Sequence, residues 1–386
     1  MDFISQFINY TRDYESPTSF WRWAAYATVA ATLRNNVYFE HGLRRTYPNL
    51  YVVLLADSAK YRKSGPFGPI TSLLKEMKST KVIVGRTSVQ SILDELSQNS
   101  GGLKGGSCLL CAEEMASFFV QDPALIPLIT DMYDFRSEFQ YNLRSGKIKI
   151  TDLCVTMLAA SNETFLREVY TTAAVYGGLL GRTVMVKPDE IREPNSLLDV
   201  NLKQYDTKDL SNSLYKIKLL NGPVTITEDA KTIYNMWYQA LYKSYEKIAD
   251  RTGVTQRMHT TVLKLAIVIA ASYYSTEINE HHMKEAIEQI TKLKANYEVY
   301  AMSSGKSTQA EIGALLLNSL WNTPKQEMKR EDVLRNYWHM MSAEDLDKLI
   351  TTLEQGGLIV LNHSTNGKVS YGMTEKCKEI YRKENG

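Results

Sequence analysis

The stretch that most constrains this chain runs from Asn49 to Gly65 and reads NLYVVLLADSAKYRKSG. It opens with an unbroken apolar run, Leu50 to Leu55. A run this short, rich in Val and Leu, suits a strand buried on both faces. Small and polar residues follow, then Arg62, Lys63 and Ser64, and Ile70 to Met77 has the composition of a helix. Strand, turn, Lys-Ser, helix is the order of a phosphate-binding loop. In such a loop backbone N–H groups and the helix N-terminus hold phosphates, the Lys reaches the terminal phosphates and the hydroxyl binds Mg²⁺. The usual pattern is G-x-x-x-x-G-K-[ST]. Here Asp57 stands at the first Gly position and Arg62 at the second, with Ala56 and Ala59 the nearest small residues. Glycine lets a backbone curl around phosphate, so its loss leaves two readings open: a phosphate loop, or a buried strand followed by a basic surface turn.

The segments downstream bear on that choice. Lys81 to Val84 reads as a second strand, and Thr87 with Gln90 as the capping box of a helix ending near Gln98. After a glycine-rich connection comes Cys108-Leu-Leu-Cys-Ala-Glu113-Glu114. Apolar residues ending in two acids form the second half of a nucleotide site: one carboxylate helps hold Mg²⁺ and its neighbour polarises the attacking water. A strand ending in a charged helix cap gives the same letters. The position one strand-helix unit after the Lys-Ser loop favours the nucleotide reading. Phe139 to Ile150 alternates apolar and polar residues around Ser145-Gly146, a β-hairpin pattern. Its tip carries Arg144, Lys147 and Lys149, either solvated or touching nucleic-acid phosphates. Leu153 to Ala159 is a further buried strand ending at Ser161-Asn162, where a polar side chain orients water or simply makes a turn. Arg182 stands just before the apolar run Thr183 to Val186, as a salt-bridge partner or as a group presented to a neighbouring subunit.

Residues 189–222 are polar and poorly periodic and read as a linker or extended loop. Thr227 to Ala249, Thr255 to Tyr274 and Asn279 to Met302 read as three amphipathic helices. The middle one carries Arg257 and His259, the latter expected to be packed or superficial. Gly305-Lys-Ser-Thr308 imitates a phosphate loop but follows a helix, so it reads as a linker. From Gln309 onward three helices precede two short strands flanking Asn366-Gly367, the layout of a winged helix-turn-helix, whose third helix commonly enters a DNA groove. From Lys306 on, 11 Lys/Arg balance 11 Asp/Glu, so protein docking is nearly as good a reading of this segment.

Composition excludes several classes. With 386 residues, 44% hydrophobic and 23% charged, the chain is long enough for two or three domains of ordinary globular make-up. A net charge of +2 argues neither for nor against nucleic acid. Four Cys in such a length point to a reducing compartment, and Cys108 and Cys111 lie in an apolar run without a second ligand pair, as buried thiols do. No signal peptide is expected, and the longest apolar stretches, Trp23 to Leu33 and Val262 to Ala271, are too short to span a bilayer.

The run Phe20-Trp-Arg-Trp-Ala-Ala-Tyr, then Tyr47-Pro-Asn-Leu-Tyr-Val-Val-Leu-Leu, then Arg62-Lys-Ser, resembles the P-loop ATPases of phages and mobile elements, many identified as replicative helicases. Tyr133-Asp134, Ser161-Asn162, Gly178 to Arg182 and Arg257 to Lys264 fall in the order such proteins use, over about residues 15–275. More distantly the layout resembles AAA+ helicases of the minichromosome-maintenance type. That resemblance implies a parallel α/β AAA+ core over 1–190, a linker and helical lid over 191–304, and a winged helix over 305–386. It implies ATP and Mg²⁺ as cofactors, with Ala59, Arg62, Lys63 and Ser64 around the phosphates, and Ser64 and Glu113 at the metal. It further implies Glu113 and Glu114 as the acidic pair, Asn162 as sensor, Arg182 as a finger acting in trans and Arg257 as a lid sensor. The expected activity is ATP-driven translocation on single-stranded or forked DNA by a homo-hexameric ring in a bacterial or phage-infected cytoplasm. Arg144, Lys147 and Lys149 would contact the DNA. The rival expectation is an initiator or adaptor that binds nucleotide and DNA without unwinding.

Overall fold

The computed structural model describes every residue except 58–59, 79, 86–87, 99–104, 116–118, 120–121, 123, 144–145, 164–177, 194–206, 246–252, 295–307, 324, 339, 364–368 and 386. The chain forms two compact units, Met1–Ser304 and Gly305–Gly386.

The first unit opens with α1 (Phe3–Tyr10) and α2 (Thr18–Leu33), then a hairpin of β1 (Val37–His41) and β2 (Arg44–Thr46). Next come β3 (Tyr51–Leu55), α3 (Phe67–Met77), β4 (Lys81–Val84), α4 (Val89–Ser97) and β5 (Ser107–Ala112). They are followed by α5 (Leu125–Asp131), β6 (Arg136–Leu143), β7 (Gly146–Ser161) and β8 (Thr183–Val186). The core sheet has the order β4-β5-β7-β3-β8, with every neighbour parallel. Parallel strands need coverage on both faces, and the alternation of β3 supplies it. Val52 and Leu54 join one core with α2 and α3, while Tyr51, Val53 and Leu55 join the other with α4 and α5.

Two elements differ from the sequence reading. The second strand of the expected hairpin and the strand expected after it are one 16-residue strand, β7. Its first half pairs with β6 and its second half enters the sheet, and Asp152, at φ 51°, lies at the junction. The helix after β4 is capped by Ser88, whose Oγ accepts from the Ser91 N–H at 3.3 Å, and Gln90 bonds Asp94 instead of closing a capping box. Thr87 lies outside the described residues.

The second half of this unit is more helical than expected. α6 (Lys208–Lys218) occupies part of the stretch read as a loop. Its apolar Leu210, Leu214 and Ile217 stand four and three residues apart, form one stripe and are buried. Polar residues fill most of the positions between and before these three, which hid the stripe. Short strands β9 (Gly222–Pro223) and β10 (Thr225–Ile226) lead to α7 (Glu228–Tyr245), α8 (Val254–Ser272), β11 (Glu277–Ile278) and α9 (Glu280–Lys292). These helices belong to the same compact unit as the sheet: α8 packs on α2, and α2 is buried on nearly every side. The N-terminus of α2 meets two acids, Asp189 accepting from the Ser19 N–H at 3.0 Å and Glu190 from the Thr18 N–H at 3.1 Å.

α9 starts with a reciprocal cap that makes stability depend on pH. Asn279 Oδ1 accepts from the His282 N–H, and His282 Nδ1 accepts from the Asn279 N–H at 3.3 Å. Burial and the neighbouring His281 hold the His282 pKa below its ordinary value. Between the folded and unfolded values the unfolded chain binds more protons, so stability is full above the ordinary histidine range and is lost as pH falls through it. The melting temperature should therefore drop between pH 7 and pH 5. His282→Gln, which keeps an acceptor, should flatten that drop; an unchanged profile in the variant would remove His282 as its source.

The second unit consists of α10 (Thr308–Trp321), β12 (Glu327–Lys329), α11 (Arg330–Tyr337), α12 (Ala343–Gln355), β13 (Ile359–His363), β14 (Val369–Met373) and α13 (Glu375–Asn385). Its sheet has the antiparallel order β12-β14-β13; β12 and α13 had no counterpart in the sequence reading. The turn signal Asn366-Gly367 lies outside the described residues. Among the described residues no helix is long and apolar enough to cross a membrane.

Candidate nucleotide site

Because the core strands are parallel, everything that follows a strand gathers at one edge of the sheet and everything that precedes one gathers at the opposite edge. At the first edge, Leu55 pairs with Ser161 and Ala112 with Ala159, so β3, β7 and β5 end together. Lys63 and Ser64 follow β3, Asn162 follows β7, and Glu113 and Glu114 follow β5. The acidic pair thus stands two strand spacings, about 10 Å, from the end of β3, with Asn162 between. Lys63 is buried and its Nζ donates to the carbonyl of Ala56 at 3.2 Å. The Ala56 N–H in turn donates to Ser161 O at 3.2 Å, which ties the Lys63 end to the Asn162 end. Ser64 and Glu113 are exposed and Glu114 is half-buried. Lys187, following β8, reaches Glu163, following β7, at 2.6 Å and so spans the end of β3.

The loop answers the missing-glycine question in part. Arg62, at the position where the motif has its second Gly, adopts φ 45°. The left-handed backbone that glycine would supply is therefore present, at a cost of roughly 1–2 kcal/mol for a residue with a Cβ. The side chain of Arg62 pairs with Glu15 at 2.6 Å and so braces the loop to the N-terminal segment. Ser16 Oγ donates to Arg62 O at 2.8 Å, and a Cβ on Gly65 would lie 2.4 Å from that hydroxyl. Arg192 holds the same segment by donating to the carbonyls of Thr11 and Tyr14, each at 2.9 Å. Neither Glu15, Ser16 nor Arg192 gave any sequence signal. Ala59 lies outside the described residues. The exposed Ser64 hydroxyl, the exposed Glu113 carboxylate and Lys63 at a strand end fit a nucleotide with Mg²⁺, which needs only one or two protein oxygens when phosphates supply the rest.

The opposite edge holds the two arginines expected at the nucleotide. Arg182 precedes β8 and Arg257 lies beside it on α8. The five residues of β3 span about 16 Å, so both arginines stand about a strand length from the edge that carries Lys63 of their own chain. Arg182 is only 14% exposed: Nη1 donates to Gly178 O at 3.0 Å, and Nη2 lies 3.5 Å from Asp134. The glycines beside it are spent within the chain. A Cβ on Gly178 would lie 2.8 Å from the Arg182 guanidinium, and one on Gly181 would lie 3.0 Å from the Gly253 carbonyl. Burial, then the neighbouring Arg182, lowers the Arg257 pKa.

Beneath these arginines is a buried polar knot that the sequence did not reveal. Lys264 Nζ donates to Asn49 O at 3.1 Å and to Asn49 Oδ1 at 2.7 Å, and lies 4.1 Å from the centre of the Tyr133 ring. Asn49 Nδ2 donates to the carbonyls of Tyr133 at 2.7 Å and Val155 at 3.1 Å. Burial pushes the Lys264 ammonium down to about 8.

On the β6–β7 hairpin, Lys147 is exposed, but Lys149 is tied to Glu138 on the facing strand at 2.7 Å, so it is not the free cation expected. Arg144 lies outside the described residues. Cys108 and Cys111 are free, buried thiols, the latter pushed up to about 12 by burial, and no cluster of metal-ligating side chains occurs among the described residues. No family model matches the chain, and no curated protein matches it significantly.

Proposed function

We propose that the first unit is an AAA+ ATPase core and that the chain is an ATP-driven DNA translocase or helicase working as a ring, serving replication of a phage or mobile element. The observation that carries this reading is the strand order. A Lys-Ser loop follows the second strand of β8-β3-β7-β5-β4, a polar residue follows the third and an acidic pair follows the fourth, all at one edge. Ligands of open parallel sheets bind outside the strand ends where the chain order reverses, which here is β3. In this reading Lys63 leaves the Ala56 carbonyl for the terminal phosphates, Ser64 and Glu113 hold Mg²⁺, and Glu114 polarises the attacking water. Mg²⁺ held there would supply positive charge to offset that of the phosphates.

The arginines support a ring. Placed at the edge away from their own loop, Arg182 and Arg257 would serve the nucleotide of a neighbouring chain, and an interface that joins unlike edges gives a ring where its rotation closes. Arg182 must first leave Asp134. That acid is 67% exposed and 3.5 Å away, and such a pair contributes about 0–1 kcal/mol, so a phosphate displaces it at little cost. Two adjacent guanidiniums also repel, which an anion relieves.

The second unit is read as a winged helix that docks protein. The exposed side of α12, the helix expected in a DNA groove, carries Glu344, Asp347 and Glu354 against Lys348. Phosphates repel such a face. Trp338 is 74% exposed in the turn before α12, where interfaces place their anchors.

The test is ATP turnover by the whole chain with and without single-stranded DNA. Turnover stimulated severalfold by DNA is the expected result, and Lys147→Ala should reduce that stimulation. Nucleotide binding without turnover under either condition would favour an initiator or adaptor.

A further inference from the structure

The β1–β2 and β6–β7 hairpins both leave the sheet at the edge opposite the nucleotide site. β2 leads directly into β3, and the paired half of β7 leads directly into its sheet half. Between their roots lies an open cleft of about 560 Å³, lined among others by His41, Arg44, Arg45, Tyr47, Phe135 and Ser137. Its size falls within the range of about 300–1,000 Å³ typical of small-ligand sites, enough for a nucleotide unit. Lys264 adds positive charge at its floor, and with Arg44 and Arg45 it outnumbers the one acid of the lining, Asp134.

β1 and β2 bring cations and rings together. The Arg45 guanidinium lies 4.3 Å from the centre of the Tyr38 ring and is braced by Glu40 at 2.7 Å. His41 stacks on Phe39 at 5.8 Å, and Tyr47 packs against Phe135 at 4.1 Å. Arg44 is exposed beside Leu43, which projects fully from the hairpin tip. A positively charged groove with aromatic platforms is the chemistry that holds a single strand without reading its sequence: cations take phosphates and rings take base faces.

We propose that this cleft is a second nucleic-acid contact, distinct from the β6–β7 hairpin tip, which takes a phosphate of a single strand on Arg44 and a base or sugar against the Tyr47–Phe135 wall. The proposal rests on the reading of the first unit as a DNA translocase. It assigns the β1–β2 hairpin, with Leu43 at its tip, to the strand that the β6–β7 hairpin engages from the other side of the cleft.

The experiment measures binding of the full chain to fluorescently labelled oligothymidylate by anisotropy across a salt series. Arg44 is exposed and makes no ion pair among the described residues, so Arg44→Ala should fold normally. It should weaken binding roughly threefold or more at low salt and reduce the slope of log affinity against log salt by about 0.7, the share of one phosphate contact. Arg44→Lys should keep the slope. Photocross-linking to 5-iodouracil DNA should label Tyr47 or Phe135. If the native chain binds, Lys147→Ala changes the slope and Arg44→Ala does not, and cross-links fall elsewhere, the cleft is not a contact while the translocase reading stands. If Arg44→Ala changes the slope but no ATP turnover is found, the cleft stands and the engine falls. A native chain that binds no single-stranded DNA even at low salt overturns both, and leaves the basic face to an acidic protein partner.

Discussion

Lys63→Ala should reduce ATP turnover to background, while Glu114→Gln should still bind ATP and fail to split it. Lys63 is the cation placed at the end of β3, already bonded to the Ala56 carbonyl at 3.2 Å, so its loss removes the charge that meets the terminal phosphates. Arg182→Ala should be equally inactive for a different reason, because an arginine at the γ-phosphate is worth about 10³–10⁵ in rate. The two defects lie at opposite edges of the sheet, so they complement. In a ring mixed from both variants, some interfaces join the intact loop of an Arg182→Ala chain to the intact arginine of a Lys63→Ala chain. Mixing under conditions that exchange subunits should restore part of the activity. Subunit exchange shown by fluorescence transfer, with no activity regained, would exclude Arg182 from acting on a neighbour. Full turnover in Lys63→Ala would exclude this edge as the engine altogether.

Asn49→Ala should destabilise the first unit by about 3–5 kcal/mol, a large part of a domain's stability. The side chain makes three of the bonds in the knot, two donated to the Tyr133 and Val155 carbonyls and one accepted from Lys264. Its removal leaves two buried carbonyls without that donor, at about 1–3 kcal/mol each, and strips one acceptor from a buried ammonium. The measurement is urea unfolding of the first-unit transition, native against variant. Replacing both residues, as Asn49→Leu with Lys264→Met, should recover part of the loss, since the buried charge then goes as well. A change below about 1 kcal/mol in the single variant would mean that the knot relaxes onto water and does not hold α8 to the sheet.

The sequence by itself determined the five parallel strands of the core sheet and most of the longer helices, because those are set by local patterns, whereas the short β9 to β12 and the last helix, α13, carried no such pattern. The five residues of β3 are apolar without interruption since both faces are covered, and α2 carries its aromatics and alanines at helical spacing. Order along the chain also located Lys63, Ser64, Asn162 and the acidic pair at strand ends, since a parallel sheet brings every strand end to one edge. α6 was legible too, in the spacing of Leu210, Leu214 and Ile217, but its polar surroundings outweighed three residues. Tertiary structure alone decided the rest, because it depends on which distant residues meet. No local pattern states that Lys149 would find Glu138, that Arg62 would take a left-handed backbone braced by Glu15 and Ser16, or that Asn49 would receive Lys264 from 215 positions away. Nor does one state that Arg182 and Arg257 would lie across the sheet from Lys63. That separation follows from strand direction and register, which fix the two edges about 16 Å apart and divide the residues expected at one nucleotide between them.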